Sequence, residues 1–214
     1  MKYKPFYWTI LAHLMKKIML GHYDRDFVAA VVKKAKPIYR DMIAHAPDVG
    51  AGNPMAGNIY MSFAILAVWR AANGALSADA LRTLTQELLA LPIVQAFMGG
   101  GINLNRPRDM EKTTAMFHRC ADWLKAHPQY TAASWDFNFD NTKHRDGLYY
   151  HFTRCPIEHY CREHGLLDVL PVLCDIDYLT AKARHAVLYR QYTLAADGPM
   201  CDYWLVGDQV KDPK

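Results

Sequence analysis

Three cysteines in the last third of this 214-residue chain sit beside residues that could turn a thiol into a reagent. The first lies in Arg154-Cys155-Pro156-Ile157-Glu158. Pro156 suits a first helical position, where its missing N–H is no loss, and Glu158 falls where a capping carboxylate would sit. Cys155 is therefore expected at the N-cap, facing unpaired backbone N–H groups and the positive end of a helix, with Arg154 adjacent. That setting favours a thiolate and predicts Cys155 as the most reactive thiol of the chain. Cys174 and Asp177 are three residues apart and share one face of a second helix, whereas Asp175 points aside. Both acids should raise the pKa of Cys174 by repulsion. Cys201, followed by Asp202, opens a final strand after the turn Ala196-Asp197-Gly198-Pro199.

Such a set could hydrolyse a carbon–nitrogen bond, which needs a nucleophile, a proton donor to the leaving nitrogen and stabilisation of developing charge. Cys155 and Cys174 are the candidate thiols, Asp177 the proton shuttle or orienting acid, and His159, one turn beyond Cys155, the candidate base. His151, four residues before Cys155, is the alternative base. Cys201, Asp202, His151 and Asn58 are candidate substrate contacts. The same residues have other uses. Cys155, Cys174 and Cys201 with Asp177 or a histidine could complete a four-ligand site for a divalent, zinc-class metal, although the long spacings differ from paired C-x-x-C ribbons. Free cysteines are also ordinary small core residues. Cys120, on an apolar helix face, is assigned to the core, and Cys161 is expected to stay outside the cluster. A non-catalytic module that binds a small molecule or a metal through the same cluster is the competing reading.

The run RCPIEHYCREHGLLDVLPVLCDIDYLTA, followed by GPMCDYWL, resembles the C-terminal half of the L-2-amino-thiazoline-4-carboxylic acid hydrolase family. The order Cys-Pro, Gly, Cys-x-x-Asp, Cys-Asp carries the resemblance, which covers about the last third of the chain well and the N-terminal helices loosely. It implies hydrolytic opening of a small cyclic C–N compound.

Composition narrows the partners. The formal charge of +4 arises from 25 basic and 21 acidic residues with no long basic run, which does not argue for nucleic acid. Five cysteines and no recognisable signal peptide point to free thiols and a cytoplasmic protein. Gly99-Gly100-Gly101 lacks the Gly-Lys-Ser/Thr that completes a phosphate loop and reads as flexible loop. The expected partner is a small-molecule substrate, without nucleic acid or membrane; a homo-oligomer is compatible with the sequence.

The elements that must position these residues follow from periodicity. Apolar residues recur at helical spacing from Phe6 to Met19 and from Phe27 to Ile43, where Pro37 should kink or divide the helix. Residues 54–72 read as the buried central helix; the run Ile59–Trp69 within it is nearly unbroken apolar but short of the ~20 residues of a membrane span. Ser77 caps a helix over 78–90 that Pro92 stops, and another runs from Pro107 or Arg108 to Ala126. From Tyr130 the period becomes two: Trp135, Phe137 and Phe139 alternate with polar residues, and Leu148–Thr153 follows. With two helices between them and strands at 186–194 and 200–206, the pattern gives an α+β fold, a helical layer on a small antiparallel β-β-α-α-β-β sheet. The chain reads as a single domain over 1–214, helical over 1–128 and mixed over 129–207, with residues beyond Gly207 polar and frayed.

Overall fold

A computed structural model describes all 214 residues. The chain folds as two compact units, residues 1–90 and 91–214.

The first unit is four helices. α1 (Pro5–Met19) and α2 (Arg25–His45) bury one face each, α3 (Ala56–Ala72) is buried nearly all round, and α4 (Ala78–Ala90) completes the unit. The Asp24 carboxylate caps α2 by accepting from Phe27 N at 2.8 Å, and Ser77 Oγ caps α4 by accepting from Ala80 N at 3.1 Å. Of the two outcomes expected at Pro37, division does not occur: α2 runs through it. Pro37 lies on the exposed side, so the carbonyl of Lys33 that loses its intrahelical donor can turn to water. α3 is the expected central helix, and no helix is long and apolar enough to cross a membrane.

The second unit carries the cysteines. α5 (Pro92–Gly99) was not expected, because Pro92 starts a helix here instead of only ending one. The triple glycine ends it: Gly100 and Gly101 take positive φ, and a Cβ on Gly99 would meet Ala183 O at 2.7 Å. These glycines serve a helix end and a close approach, not a phosphate. After α6 (Pro107–Ala126) and a 3-10 stretch (Pro128–Ala133) come β1 (Phe137–Asn138) and β2 (Leu148–Phe152), then α7 (Pro156–Glu163), α8 (Leu170–Cys174) and α9 (Ile176–Ala183). β3 (Ala186–Tyr189) and β4 (Cys201–Gly207) close the unit. The chain is helical up to Ala126, and α6 belongs to the compact unit that carries the sheet.

The fold class is α+β, as the sequence indicates. The four strands are antiparallel in the order β1-β2-β4-β3, so the last strand enters between the second and third. The expected pair of intervening helices is three, because the second breaks at Asp175 between α8 and α9. The register pairs Phe152 with Cys201, Tyr150 with Tyr203 and Leu148 with Leu205, while Leu188 pairs with Leu205 from the other side. Alternation places all of these on one face, together with Ala186 and, just beyond β3, Arg190. The opposite face carries Tyr149, His151, Tyr189, Asp202 and Trp204. Residues after Gly207 are held, not frayed: Asn105 Oδ1 accepts from Gln209 N at 2.9 Å, and Asp146 Oδ2 accepts from Lys214 N at 2.8 Å.

Gly147 opens β2 at φ +78, and a Cβ there would collide with the carbonyl oxygen of Leu205 on β4. Gly147→Ala adds strained backbone to that collision and should lower stability by ~3 kcal/mol, read as an earlier urea midpoint. A midpoint equal to wild type would refute this account of the β2–β4 register.

Candidate functional site

The site grows from three short elements meeting the inner face of the sheet. Cys155 is the N-cap of α7 as expected, at φ −130 and ψ 118, with Pro156 in the first turn. The corner that delivers it is fixed by Asp136, whose Oδ1 accepts from Thr153 N at 2.9 Å and Arg154 N at 2.7 Å, while its Oδ2 accepts from the Thr153 hydroxyl. Arg154 Nε donates to Ser134 O at 2.9 Å. One N–H of the guanidinium is therefore held by the backbone of Ser134. Glu158 does not close a capping box, because it pairs instead with Arg162 at 2.6 Å.

The Cys155 thiol has the N–H groups of Ile157 and Glu158 and the Trp135 side chain near enough to favour ionisation, yet it makes no geometric capping bond. Burial outweighs all of them. The pKa is pushed up to about 12, first by desolvation and then by Cys201, against the donors' pull. This corrects the expectation of a lowered pKa: a helix end cannot compensate a sulfur enclosed by protein.

Cys174 is raised further, by burial first and then by the negative charge of Asp177, with smaller contributions from Cys201 and Cys155. Cys201 is buried, raised by the same cause, and its Sγ accepts from Leu194 N at 3.2 Å. Cys201 thus acts on both Cys155 and Cys174, and Cys155 on Cys174. Cys161, expected apart, also feels Cys155 and is itself pushed up to about 12 by burial. It sits fully buried on α7. Cys120 is buried on α6, in the core as assigned.

The polar centre is Asp177 with two residues the sequence reading passed over. Arg190 Nη2 donates to Asp177 Oδ2 at 2.7 Å, Nη1 to Cys174 O at 3.3 Å, and Nε to Asp202 O at 3.2 Å. Its side chain is only 2 % exposed, against 39 % for Asp177. Tyr203 OH donates to the same Asp177 Oδ2 at 3.1 Å, and the guanidinium lies 4.2 Å from the Tyr203 ring centroid. Burial works against the Arg190 charge, but Tyr203 and Asp177 prevail and its pKa is raised. Tyr203 in turn stacks on Tyr150 at 4.7 Å, and burial keeps both phenols protonated. The signal for Arg190 was present: a cation two residues after Leu188, at an inward position of the alternation. Trp135 and Asp136 carried no comparable signal, since their partners are reached only through tertiary contacts.

Four other expected residues fall elsewhere. His159 projects from α7 at 61 % exposure and pairs with Glu163 at 3.4 Å, so its geometry gives the thiols no base. One turn along a helix from an N-cap leads outward here, because the inward face is taken by Tyr160 and Cys161. His151 lies on the opposite face of β2 from Tyr150, 12 % exposed, with Nδ1 3.4 Å from Asp140 but not aligned for a hydrogen bond. Asp202, on that face too, spends both oxygens on the loop, accepting from Tyr192 N at 2.6 Å and Gln191 N at 2.9 Å. Asn58 is exposed on α3 of the first unit, its Nδ2 3.7 Å from Met55 Sδ. No group of three or more His, Cys, Asp or Glu side chains is arranged to hold a metal ion, so the thiols and Asp177 do not fit the zinc-class set that their sequence suggests.

Beside the Arg190–Asp177 pair lies a cavity of about 210 Å³, lined by Tyr178, Arg190 and the loop that follows β3.

Compared with protein-family models, the chain matches that of the L-2-amino-thiazoline-4-carboxylic acid hydrolases over residues 57–205. No curated protein and no solved structure matches it.

Two outcomes follow from the buried thiols. With its pKa at about 12, only ~1 in 10⁴ of Cys155 thiols is ionised at pH 8, so iodoacetamide should modify native protein far more slowly than urea-unfolded protein. Peptide mapping that finds Cys155 alkylated first would overturn this. Because the fold favours the protonated thiol, the stabilisation from Cys155 and Cys161 is complete below the unfolded pKa near 9 and is lost as the pH rises through about 12. Urea midpoints should therefore fall between pH 9 and 12, and fall less steeply in Cys155→Ala.

Proposed function

Because the chain belongs to the L-2-amino-thiazoline-4-carboxylic acid hydrolase family, with the match spanning more than half its length, we propose that it opens a small cyclic C–N compound by hydrolysis at the Cys174–Asp177 site. One observation carries the assignment. Asp177 pairs with the buried Arg190, which itself lines the cavity, and its negative charge acts on Cys174.

Hydrolysis consumes one water. In the proposed reaction the water oxygen bonds to the amidine-like carbon between nitrogen and sulfur, and Asp177 accepts the water proton through Oδ1, the oxygen not engaged by Arg190 and Tyr203. A ring bond from that carbon then breaks, and the proton passes to the departing ring atom. The thiols favour water over a covalent cysteine route. Cys155 and Cys174 are both held protonated by burial, and ionising either at neutral pH adds to the barrier. In this reading Cys155, Cys174 and Cys201 stay neutral and buried, and a low-dielectric surrounding strengthens the electrostatics around Asp177.

The same raised thiols favour one alternative, a binding module that holds the small molecule without turning it over. The experiment that separates them is incubation with L-2-amino-thiazoline-4-carboxylic acid, followed by mass spectrometry for a product heavier by one water. A free thiol in that product, read with a disulfide reagent, shows that the ring C–S bond broke; its absence assigns the C–N bond. Asp177→Asn keeps an acceptor for Arg190 and Tyr203, so the fold should survive while kcat falls ~10²–10⁴-fold. Cys155→Ala should keep measurable turnover. Loss of all turnover in folded Cys155→Ala with Asp177→Asn active would reassign the chemistry to a cysteine nucleophile, and ligand binding without any product would favour the binding module.

A further inference from the structure

α1 carries apolar side chains on two opposite faces, and only one of the faces is covered. Trp8, Leu11, Ala12, Met15 and Met19 are buried where the helix packs on α2, α3 and α4. At about 100° per residue, Phe6, Ile10, His13 and Lys17 fall within roughly 60° of one another on the other side. Leu20, at the helix end, continues the row. All five are exposed, Phe6 at 68 %, Ile10 at 44 % and Leu20 at 43 %. Isolated apolar residues on a surface are ordinary. Here they are concentrated, because α2 and α4 expose no large hydrophobic side chain and α3 exposes only Met61.

Charge specifies what would cover the outer row. Residues 1–23 hold Lys2, Lys4, Lys16 and Lys17 and no aspartate or glutamate, a formal +4 that equals the net charge of the whole chain. Lys16 and Lys17 are exposed and join no ion pair. α2 adds Lys33, Lys36 and Arg40, spaced to share one exposed face. Arg40 lies 5.2 Å over the Tyr3 ring, next to the start of α1. A matching partner therefore brings negative charge and an apolar medium together. Nucleic acid brings the charge, but Ile10 and Leu20 find nothing to pack on along a phosphate backbone. A second copy of the row sets lysine against lysine or against apolar side chains. A bilayer with anionic headgroups offers both, acyl chains for the apolar residues and acidic groups that the lysine stems reach up to.

We propose that the outer face of α1 docks the protein on an anionic lipid surface. From Phe6 to Leu20 the row is ~21 Å long, which suits a helix lying flat in the headgroup layer. The sequence reading expects no membrane partner; periodicity cannot show that a second apolar face is left uncovered. The proposal stands apart from the hydrolase reading, since none of these residues belongs to the Cys174–Asp177 site.

Co-sedimentation of the full chain with lipid vesicles tests it. Binding to equimolar phosphatidylserine–phosphatidylcholine vesicles should exceed binding to phosphatidylcholine alone at least ~10-fold, and ~0.5 M salt should remove most of the difference. Lys16→Gln with Lys17→Gln should weaken binding ~10-fold or more. Phe6→Ser with Ile10→Ser leaves every charge in place and should weaken it by a similar factor, ~10-fold. All four side chains are exposed, so the urea midpoints should stay at the wild-type value. Phe97→Ser removes a side chain of α5 that is 86 % exposed and should leave binding unchanged. Binding no greater to the anionic vesicles than to phosphatidylcholine overturns the proposal. Equal losses in Phe97→Ser and in Phe6→Ser with Ile10→Ser mean general adhesion and overturn it too. Binding lost with the lysines but untouched by Phe6→Ser with Ile10→Ser means charge alone, and the docked face is wrong. If the vesicles fail and sedimentation equilibrium shows a dimer that Phe6→Ser with Ile10→Ser separates, the row belongs to a second copy instead.

Discussion

The ion pair between Arg190 and Asp177 is the constraint on which the second unit is arranged. A guanidinium with a side chain 2 % exposed must be neutralised and hydrogen-bonded, or it would be cheaper to leave it in water. Its three engaged donors reach three elements: Asp177 at the start of α9, Cys174 O at the end of α8, and Asp202 O on β4. The break between α8 and α9 at Asp175 presents a carbonyl and a carboxylate to one cation, which an ideal continuous helix would not do as readily. Tyr203 then completes the shell by donating to the same carboxylate oxygen and offering its ring face.

Around this pair the thiols are the neutral fill. Sulfur is polarizable and packs closely, and a protonated thiol adds no charge beside a cation that is already matched. Burial is the leading cause of the raised pKa at all five cysteines. The N-cap position of Cys155 loses because the opposing effects differ in size. Helix-end donors shift a thiol modestly at a wetted terminus, whereas enclosure removes solvation from the whole anion.

Much of the fold was legible from periodicity. The helices of the first unit, α6, the change to period two and the α+β class follow from spacing alone, since those segments are long and their apolar faces regular. Short elements were less so. β1 shrinks to Phe137–Asn138 because Asp136 turns its carboxylate to the Thr153–Arg154 corner and Trp135 folds inward, both tertiary events. In the site, the N-cap at Cys155 and the nearness of Cys174 to Asp177 are local and could be read. Which side of α7 faces inward could not, and that alone sends His159 to solvent. Arg190 was readable by alternation with Ala186 and Leu188, but its meaning depends on Asp177 and Tyr203 arriving from other elements.

Asp202 supports the loop beside the cavity through its carboxylate, whose two oxygens each accept a backbone N–H, from Gln191 and Tyr192. Those two N–H groups begin the loop that walls the cavity. Gly198 N closes the loop on Thr193 O at 3.0 Å, Leu194 N rests on Cys201 Sγ, and Asp197 is tied to Arg162 of α7 at 2.8 Å. The loop therefore has its shape before any ligand arrives, and a preformed wall saves the ordering entropy that a mobile loop would lose on binding. The same ties join it to the helix that Cys155 caps. Cys201 is part of this support too, since its sulfur accepts a loop N–H while its strand neighbours carry Asp202 and Tyr203. An acid and a thiol adjacent in sequence thus act through the backbone they hold, whereas Asp177 takes both of its side-chain donors, Arg190 and Tyr203, on Oδ2 alone.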